Sequence, residues 1–273
     1  NNFYYKPVDI GIFGLIIGCL ALSRQWALLL FPAFFILFLF IDSKKERLNY
    51  FKFMIGSFVI GLFTSFWFYL SLFLRYGSFT AFNMNPTKFS FTNQPRSFYV
   101  SSLDSINLMF SKPIRPNFSN EFFPILYSDF WGDYWGYFVF TRNALSTGRN
   151  QSAIGDYLAR VNIVSSIVTL IFIFVLINSI KYLNKKNYFL IYILFSIFVT
   201  FGGYFWFLIK YPAMDSGDTI KSTYMIQGFH LIGILTINYL EKLKKRDLNK
   251  YIVVIVIFLV TFIHNFSAML NHY

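Results

Sequence analysis

Charged residues are scarce in this sequence, and cysteine is almost absent. Asp, Glu, Lys and Arg make up 13% of the 273 residues, against about 25% in an ordinary soluble domain. Hydrophobic residues reach 56%, a level that excludes a simple soluble globular protein and a disordered chain. Cys19 is the single cysteine, which excludes an internal disulfide framework and a cysteine-based zinc site. Because the chain opens on Asn1 and not on methionine, we expect it to be the C-terminal part of something longer.

Apolar runs account for this composition and predict an all-α, multi-pass transmembrane bundle of about seven segments. A full span needs about 20 apolar residues, and the last five runs come close to that. The first two are short, and one helix through both would be about 50 Å long, too long for a bilayer core of about 30 Å. We therefore expect a hairpin, in which the GxxxG pair Gly14 and Gly18 allows close approach of a neighbouring helix. The seven runs are 8–22, 26–41, 51–73, 161–180, 189–209, 224–240 and 251–270.

The net charge of +12 is concentrated in three short loops, 42–50, 181–188 and 241–250. They hold 11 basic residues in 27 positions, whereas the long 74–160 loop holds 8 in 87. Lys and Arg are enriched in cytoplasmic loops, so we expect these three loops in the cytoplasm and the long loop outside. Most of the positive charge is then explained by the orientation of the chain in the membrane, and no nucleic-acid partner is expected.

The long loop divides the chain into a hairpin with a third span (1–73), an extracytoplasmic loop (74–160) and a four-helix membrane region (161–273). Within the loop, residues 121–140 read EFFPILYSDFWGDYWGYFVF, with ten aromatics in twenty positions. Acidic residues and glycines interrupt this run too often for a lipid-buried span. Trp and Tyr favour the membrane–water interface, so we expect a helix or broken helix that lies on the outer leaflet at the mouth of the bundle.

Two carboxylates in this aromatic run form the first candidate site. Asp129 and Asp133 are spaced i, i+4, so on a helix they share a face. They could bind a divalent cation, or one could act as general base on an acceptor hydroxyl. The alternative is that they form the wet side of an interfacial amphipathic helix. The neighbouring aromatic residues would suit a sugar as a platform, namely Trp131, Tyr134 and Trp135.

The outward-facing loop 210–224, KYPAMDSGDTIKSTY, is the second candidate site. Lys221 lies where the next helix begins, and a cation beside helix N-terminal amides suits a phosphate at headgroup depth. The alternative is a snorkelling lysine and an ordinary turn. Arg24, at the tip of the short hairpin, would meet a lipid phosphate or a loop carboxylate, or snorkel to water. His230, inside a predicted span, is expected to be neutral and hydrogen-bonded between helices.

Three segments give the chain a resemblance to a known family. They are SRQWALLLFPAFFILFLF (23–40), the basic-to-tyrosine segment 221–224 and YSDFWGDYWGYF (127–138). They resemble parts of GT-C fold glycosyltransferases, the multi-pass enzymes that use polyprenyl-phosphate-linked sugars and include protein O-mannosyltransferases and lipid A aminoarabinose transferases. The family's signature is an acidic residue or pair in the first outer loop. Here that loop is Ser23-Arg24-Gln25, without an acid; if the chain is a C-terminal part, the signature lies upstream.

The resemblance implies transfer of a sugar from a polyprenyl-phosphate donor to an acceptor at the outer face of a cell membrane, which we expect to be prokaryotic. It implies that Asp129 or Asp133 is the acid/base or metal carboxylate, and it leaves open whether a divalent cation is needed. The partners would be the lipid-linked donor, membrane lipids and an acceptor that the sequence does not name. Substrate-binding residues would be the phosphate clamps Arg24 and Lys221, with Tyr224 beside them, and the platform residues Trp131, Tyr134 and Trp135.

Three other functions stay open on the sequence. A polysaccharide polymerase or ligase would depend on outer-loop arginines such as Arg142, Arg149 and Arg160. A transporter or flippase of lipid-linked saccharides would carry charged residues along a path within the spans, often in repeated halves. No repeat is visible in the sequence, and the span interiors are nearly free of ionisable groups apart from His230. A non-catalytic membrane subunit would show the same sequence features.

Overall fold

The computed structural model describes residues 5–23, 25–79, 87–113, 118, 120–132, 151–183, 187–212 and 220–270. Every regular element in these ranges is helical, as the sequence predicts. The chain divides into two compact units, one of residues 1–86 with 179–203 and one of residues 87–178 with 204–273.

The described ranges contain ten α-helices, and short 3-10 turns precede three of them. The turns are Gln25–Leu30 before α2, Phe91–Asn93 before α4 and Ser222–Met225 before α9. The helices are α1 (Pro7–Ser23), α2 (Phe31–Phe40), α3 (Lys44–Tyr76), α4 (Arg96–Tyr99), α5 (Leu103–Ser111), α6 (Phe122–Trp131), α7 (Gln151–Lys181), α8 (Tyr188–Lys210), α9 (Ile226–Arg246) and α10 (Leu248–Leu270).

Four of these helices are long enough and apolar enough to cross a membrane. They are α3, most of α7, α8 and most of α10, with the qualifying stretches Lys44–Tyr76, Gly155–Lys181, Tyr188–Lys210 and Leu248–Ser267. α1 and the segment Trp26–Phe40 are apolar but shorter, and α9 ends in a strongly basic turn. All seven predicted runs coincide with helical segments, but only these four have the dimensions of a span within the described residues.

The first two helices form the hairpin that the sequence predicts. Phe13 of α1 lies edge-on to Phe34 of α2, with ring centroids 5.2 Å apart. The two residues are 21 positions apart in the chain, so the chain must turn back between them. The Tyr50 hydroxyl of α3 donates to the carbonyl of Phe34 (2.7 Å), which shows that α3 folds back along α2 in its turn.

Glycines bring α1 and α3 into backbone contact. A Cβ atom at Gly14 would lie 2.6 Å from Ile60 Cβ, and one at Gly18 would lie 2.5 Å from Thr64 Cβ. No side chain fits at such distances, so the expected close approach at this GxxxG pair is confirmed. The contact positions increase together along both helices, which means that α1 and α3 run parallel.

Arg47 closes the end of α2 and does not point into solvent as an ordinary loop cation would. Its Nε and Nη2 both donate to the carbonyl of Ile41 (3.0 and 2.6 Å). A cation at a helix C-terminus also opposes the negative end of the helix dipole. Ile41 belongs to the buried core of the first unit, together with Leu37, Tyr50, Met54 and Ile191.

In the second unit, residues 87–94 cap the C-terminal end of α8. A helix leaves its last four carbonyls without partners inside the helix, and here three consecutive ones receive donors from this segment. The segment 87–94 is thereby fixed to the end of α8. The bonds run from Gln94 Nε2 to the carbonyl of Leu208 (2.7 Å), from Asn93 Nδ2 to that of Ile209 (3.0 Å), and from the backbone N–H and hydroxyl of Thr87 to that of Lys210 (3.0 and 2.9 Å).

Helices α7 and α10 pack side by side in opposite directions. Asn265 Nδ2 of α10 donates to Ser165 Oγ of α7 (2.8 Å). Phe172 follows Ser165 by seven residues and Phe258 precedes Asn265 by seven, and their rings lie 5.7 Å apart. The two helices therefore run in opposite directions. Asp247 alone joins α9 to α10. Two residues after Phe172, the ring of Phe174 lies 5.7 Å from that of Tyr239 in α9, so α9 and α10 both return along α7 and form a hairpin.

Candidate functional site

The first half of the aromatic run is an enclosed helix. α6 covers residues 122–131, and six consecutive residues, Pro124 to Asp129, are buried. An interfacial amphipathic helix would keep one polar face exposed, and this part of the run has none; that it lies on the outer leaflet stays a prediction. Burial on every side also means that Asp129 is not on a wet face. Residues 133–140, the rest of the run, lie outside the described residues.

Hydrogen bonds to α7 hold α6 in place. The Tyr127 hydroxyl donates to the carbonyl of Asn162 (2.8 Å), and Asn162 Nδ2 donates to Ser128 Oγ (2.9 Å). One turn beyond Ser128, the indole N–H of Trp131 donates to Thr169 Oγ1 (3.0 Å). Burial raises the pKa of the Tyr127 phenol, so this hydroxyl stays a neutral donor at physiological pH. Polar side chains on one face of α7 therefore set the position of the candidate acid.

Asp129 joins the two candidate segments of the sequence. Its side chain is fully buried, and its Oδ2 accepts a hydrogen bond from the backbone N–H of Ser222 at 2.5 Å. Ser222 is the first residue of the 3-10 turn that leads into α9, directly after Lys221. The aromatic run and the 210–224 loop thus meet at this bond, although 93 residues separate the two partners.

The backbone around Lys221 is fixed from two sides. The Lys221 N–H donates to the Tyr204 hydroxyl (2.7 Å), and the next N–H, that of Ser222, is the one bound by Asp129. The rings of Tyr204 and Tyr224 lie 5.9 Å apart. Lys221 and Tyr224 are both half-buried, and within the described ranges no ion pair engages the Lys221 ammonium. The structure therefore presents a cation on a rigid backbone beside the start of a helix.

Trp131 lines an aromatic cleft of about 190 Å³ between α6, α7 and α10. Its indole N–H is already bound to Thr169, and both polar groups of the Asn265 side chain are bound, one to Ser165 and one to His264 Nδ1 (2.9 Å). Sugar hydroxyls would find almost no partners here and would lose their hydration. An apolar ligand fits this cleft better than the sugar that the sequence suggested for Trp131. The lining residues are Phe130, Trp131, Val168, Phe172, Phe258, Thr261, Phe262 and Asn265.

Glu121 is a buried acid that sequence reasoning missed. It is 7% exposed, and its Oε1 accepts from the Ser105 hydroxyl (2.7 Å). Its Oε2 is buried, and no group among the described residues donates to it. Asn120 before it adopts the left-handed backbone conformation, φ 52°, and its Nδ2 bonds to Gln94. The available signal was a lone acid directly before a strongly apolar helix, which looks like an ordinary helix start.

Two of the other predicted residues differ from expectation or carry little chemistry. His230 is exposed, and its Nδ1 bonds to the carbonyl of Ile226 in its own helix (2.8 Å), so among the described residues it does not connect two helices as expected. Arg160 is exposed on α7. Several predicted residues lie outside the described residues: Arg24, Asp133, Tyr134, Trp135, Arg142, Arg149, Asp215 and Asp218.

A divalent cation stays a prediction. In the described part of the chain, no three His, Cys, Asp or Glu side chains lie close enough together to hold a metal ion. The proposed second carboxylate, Asp133, is not among these residues, so the pair with Asp129 is untested.

Comparisons with protein-family models, with curated proteins and with solved structures gave no match. The likeness to GT-C fold glycosyltransferases therefore depends on the quoted segments of this chain, and the family and its activity stay predictions.

Proposed function

We propose that this chain is a membrane-embedded glycosyltransferase, or its C-terminal part, that moves a sugar from a polyprenyl-phosphate donor to an acceptor hydroxyl. The observation that supports the proposal is the bond between Asp129 Oδ2 and the Ser222 N–H. It joins the two segments that the sequence singled out on separate grounds, one for carboxylate chemistry and one for phosphate binding.

Lys221 is the residue assigned to the donor. Hydrogen bonds from the Lys221 N–H to Tyr204 and from the next N–H to Asp129 hold this turn, so a phosphate would not need to order the backbone when it binds. In the transfer step, the bond from the anomeric carbon to the lipid phosphate breaks and a bond to the acceptor oxygen forms. Lys221 would neutralise the charge that develops on the departing phosphate.

Asp129 is assigned a positioning role in this proposal. A general base must reach the proton that it removes, and the Asp129 side chain is fully buried and already accepts the Ser222 N–H. Its carboxylate orders the turn that carries Lys221. The acceptor proton then goes to another carboxylate. Asp133 is the remaining candidate on the sequence, and it lies outside the described residues.

The proposal includes a seven-segment arrangement, in which the short α1–α2 hairpin and α9 lie in the membrane in addition to the four helices of spanning length. The three basic loops would then lie in the cytoplasm and the donor site outside. Cysteines placed at Lys45 and Lys242 in a Cys19→Ser background should resist an impermeant maleimide in intact cells, while one at Ser101 should react. Equal labelling of all three positions would contradict this orientation.

Substitution of Lys221 tests the function. A hydrogen bond to a charged group contributes about 1.5–3 kcal/mol, so Lys221→Ala should weaken binding of an undecaprenyl-phosphate sugar about 10- to 100-fold. Lys221→Arg should restore part of it. The matched control is Lys210→Ala, because the Lys210 ammonium already lies 5.0 Å from the Trp206 ring. Undiminished donor binding in Lys221→Ala, measured by fluorescence titration with a labelled donor, would remove Lys221 from the site.

A further inference from the structure

The hairpin of α9 and α10 carries an exposed cationic surface, which we call the hairpin basic surface. Five basic side chains occur within nine residues, and all five are exposed. The density of positive charge here is greater than in either of the other two basic loops. The five residues are Lys242, Lys244, Lys245, Arg246 and Lys250.

Local acidic partners account for only two of these cations. Lys245 Nζ lies 3.0 Å from Glu241, and Lys250 Nζ lies 2.9 Å from Asp247. Lys244 Nζ lies 5.8 Å from the centre of the Tyr251 ring. Two paired cations and one over an aromatic ring leave a surplus of positive charge on the hairpin.

Lys242 and Arg246 carry this surplus. They are spaced i, i+4, so they lie on the same side of α9, and like charges at this spacing destabilise a helix. Neither has an acidic partner in the part of the chain that the structure describes. By contrast, the Arg47 guanidinium in the first unit donates hydrogen bonds to the carbonyl of Ile41. Among the described residues the pair on α9 has no such internal contact, so both cations are available to an anion from outside the chain.

The position of the surface identifies the anion. The apolar stretch of α10 that could cross a membrane begins at Leu248, one residue after the turn. Lys242 and Arg246 lie within six residues of that point, about 9 Å along a helix axis. Leu248 and Ile252 are about half exposed beside them, at 54% and 49%. Cations placed this close to a membrane boundary, next to exposed apolar side chains, are at the depth of lipid headgroups.

We propose that the hairpin basic surface binds the phosphate headgroup of anionic phospholipids, with Lys242 and Arg246 as the two principal contacts. The inference is independent of the proposed glycosyltransferase activity, because it uses neither Asp129 nor Lys221. It adds a lipid partner at the turn between α9 and α10.

Two double variants with the same change of charge test the proposal. Lys242→Gln with Arg246→Gln removes the cations that lack acidic partners, and Lys245→Gln with Lys250→Gln removes the two that have them. Dye-labelled phosphatidylglycerol is titrated into the detergent-solubilised 273-residue chain. Phosphatidylcholine with the same chains and dye is the reference lipid.

We expect the first double variant to bind phosphatidylglycerol at least about tenfold more weakly than the unmodified chain, since each juxtamembrane basic residue contributes appreciably to anionic lipid binding. The second should change binding less than threefold. Binding by the unmodified chain should also fall as NaCl rises from 50 to 500 mM. Equal losses in the two double variants would show that net charge alone acts, and no preference for phosphatidylglycerol over phosphatidylcholine would likewise overturn the proposal.

Discussion

Replacement of Asp129 by asparagine separates a positioning role from a proton-accepting role. The amide keeps the size of the side chain and one oxygen that can accept the Ser222 N–H, but it cannot take a proton from an acceptor hydroxyl. A hydrogen bond to a charged acceptor contributes about 1.5–3 kcal/mol and one to a neutral acceptor about 0.5–1.5 kcal/mol. We therefore expect Asp129→Asn to lose about 1 kcal/mol of stability and about fivefold in donor affinity.

Alanine at the same position removes the acceptor altogether. Ser222 is fully buried, so without the Asp129 side chain its N–H would have neither a carboxylate nor a water molecule as acceptor. An unsatisfied buried donor costs about 1–3 kcal/mol beyond the lost bond, and we expect Asp129→Ala to lose about 2–4 kcal/mol of stability. Donor binding should fall with it, because the turn that carries Lys221 is no longer ordered.

Three measurements on the two variants decide between the roles: thermal unfolding in detergent, donor affinity and turnover. With a positioning role, all three decline together and asparagine rescues most of the loss caused by alanine. The reasoning is refuted if Asp129→Asn keeps the stability and donor affinity of the unmodified chain while its turnover falls 100-fold or more, as general-base loss predicts. Asp129 would then react with the acceptor directly.

Three further predictions concern the scaffold. Gly18→Val should destabilise the chain by about 1–3 kcal/mol in thermal unfolding, because the new side chain would overlap α3; Gly11→Val, which meets nothing within 4 Å, is the control and should change little. Asn93→Ala should uncap α8 at a cost of about 1 kcal/mol and speed proteolysis between residues 87 and 94, and an unchanged cleavage rate would contradict the capping role. The backbone N–H and the ammonium of Lys250 lower the pKa of Asp247, so this carboxylate stabilises the hairpin above about pH 4 and the contribution is lost as pH falls further; the difference in melting temperature between the unmodified chain and Asp247→Asn should shrink below that pH, and a constant difference would refute it.

Sequence reasoning succeeded where a property of one segment decides the outcome. Each apolar run forms a helical segment, because the backbone hydrogen bonds of a helix lie within the segment and do not depend on neighbouring segments. Gly14 and Gly18 could be interpreted from their spacing alone, since two glycines one turn apart leave a groove on any helix. The reversal between α1 and α2 followed from bilayer thickness, a length that sequence can be compared with directly.

The location of α6 could not be predicted in the same way. The pattern of Trp, Tyr and Asp indicates a helix with polar contacts but does not say whether water or protein supplies them. Here α7 supplies them, through Asn162 and Thr169. The Asp129–Ser222 bond depends on residues 93 positions apart, and Glu121 showed no periodic signal at all. The burial of α6, the Asp129–Ser222 bond and the burial of Glu121 all depend on which distant segments pack together, and one sequence contains little information about such contacts.

The glycine contact between α1 and α3 constrains the order of events during biosynthesis. α1 is 17 residues long and leaves the ribosome well before α3. Its buried positions, Gly14, Ile17, Gly18 and Ala21, face α3, and they gain that partner only after the chain has been made past Thr64. Until then the groove at Gly14 and Gly18 of α1 has no helix packed against it. We therefore expect the first three helices to fold as one unit, and a nascent chain that stops before α3 is complete to leave α1 without its packing partner.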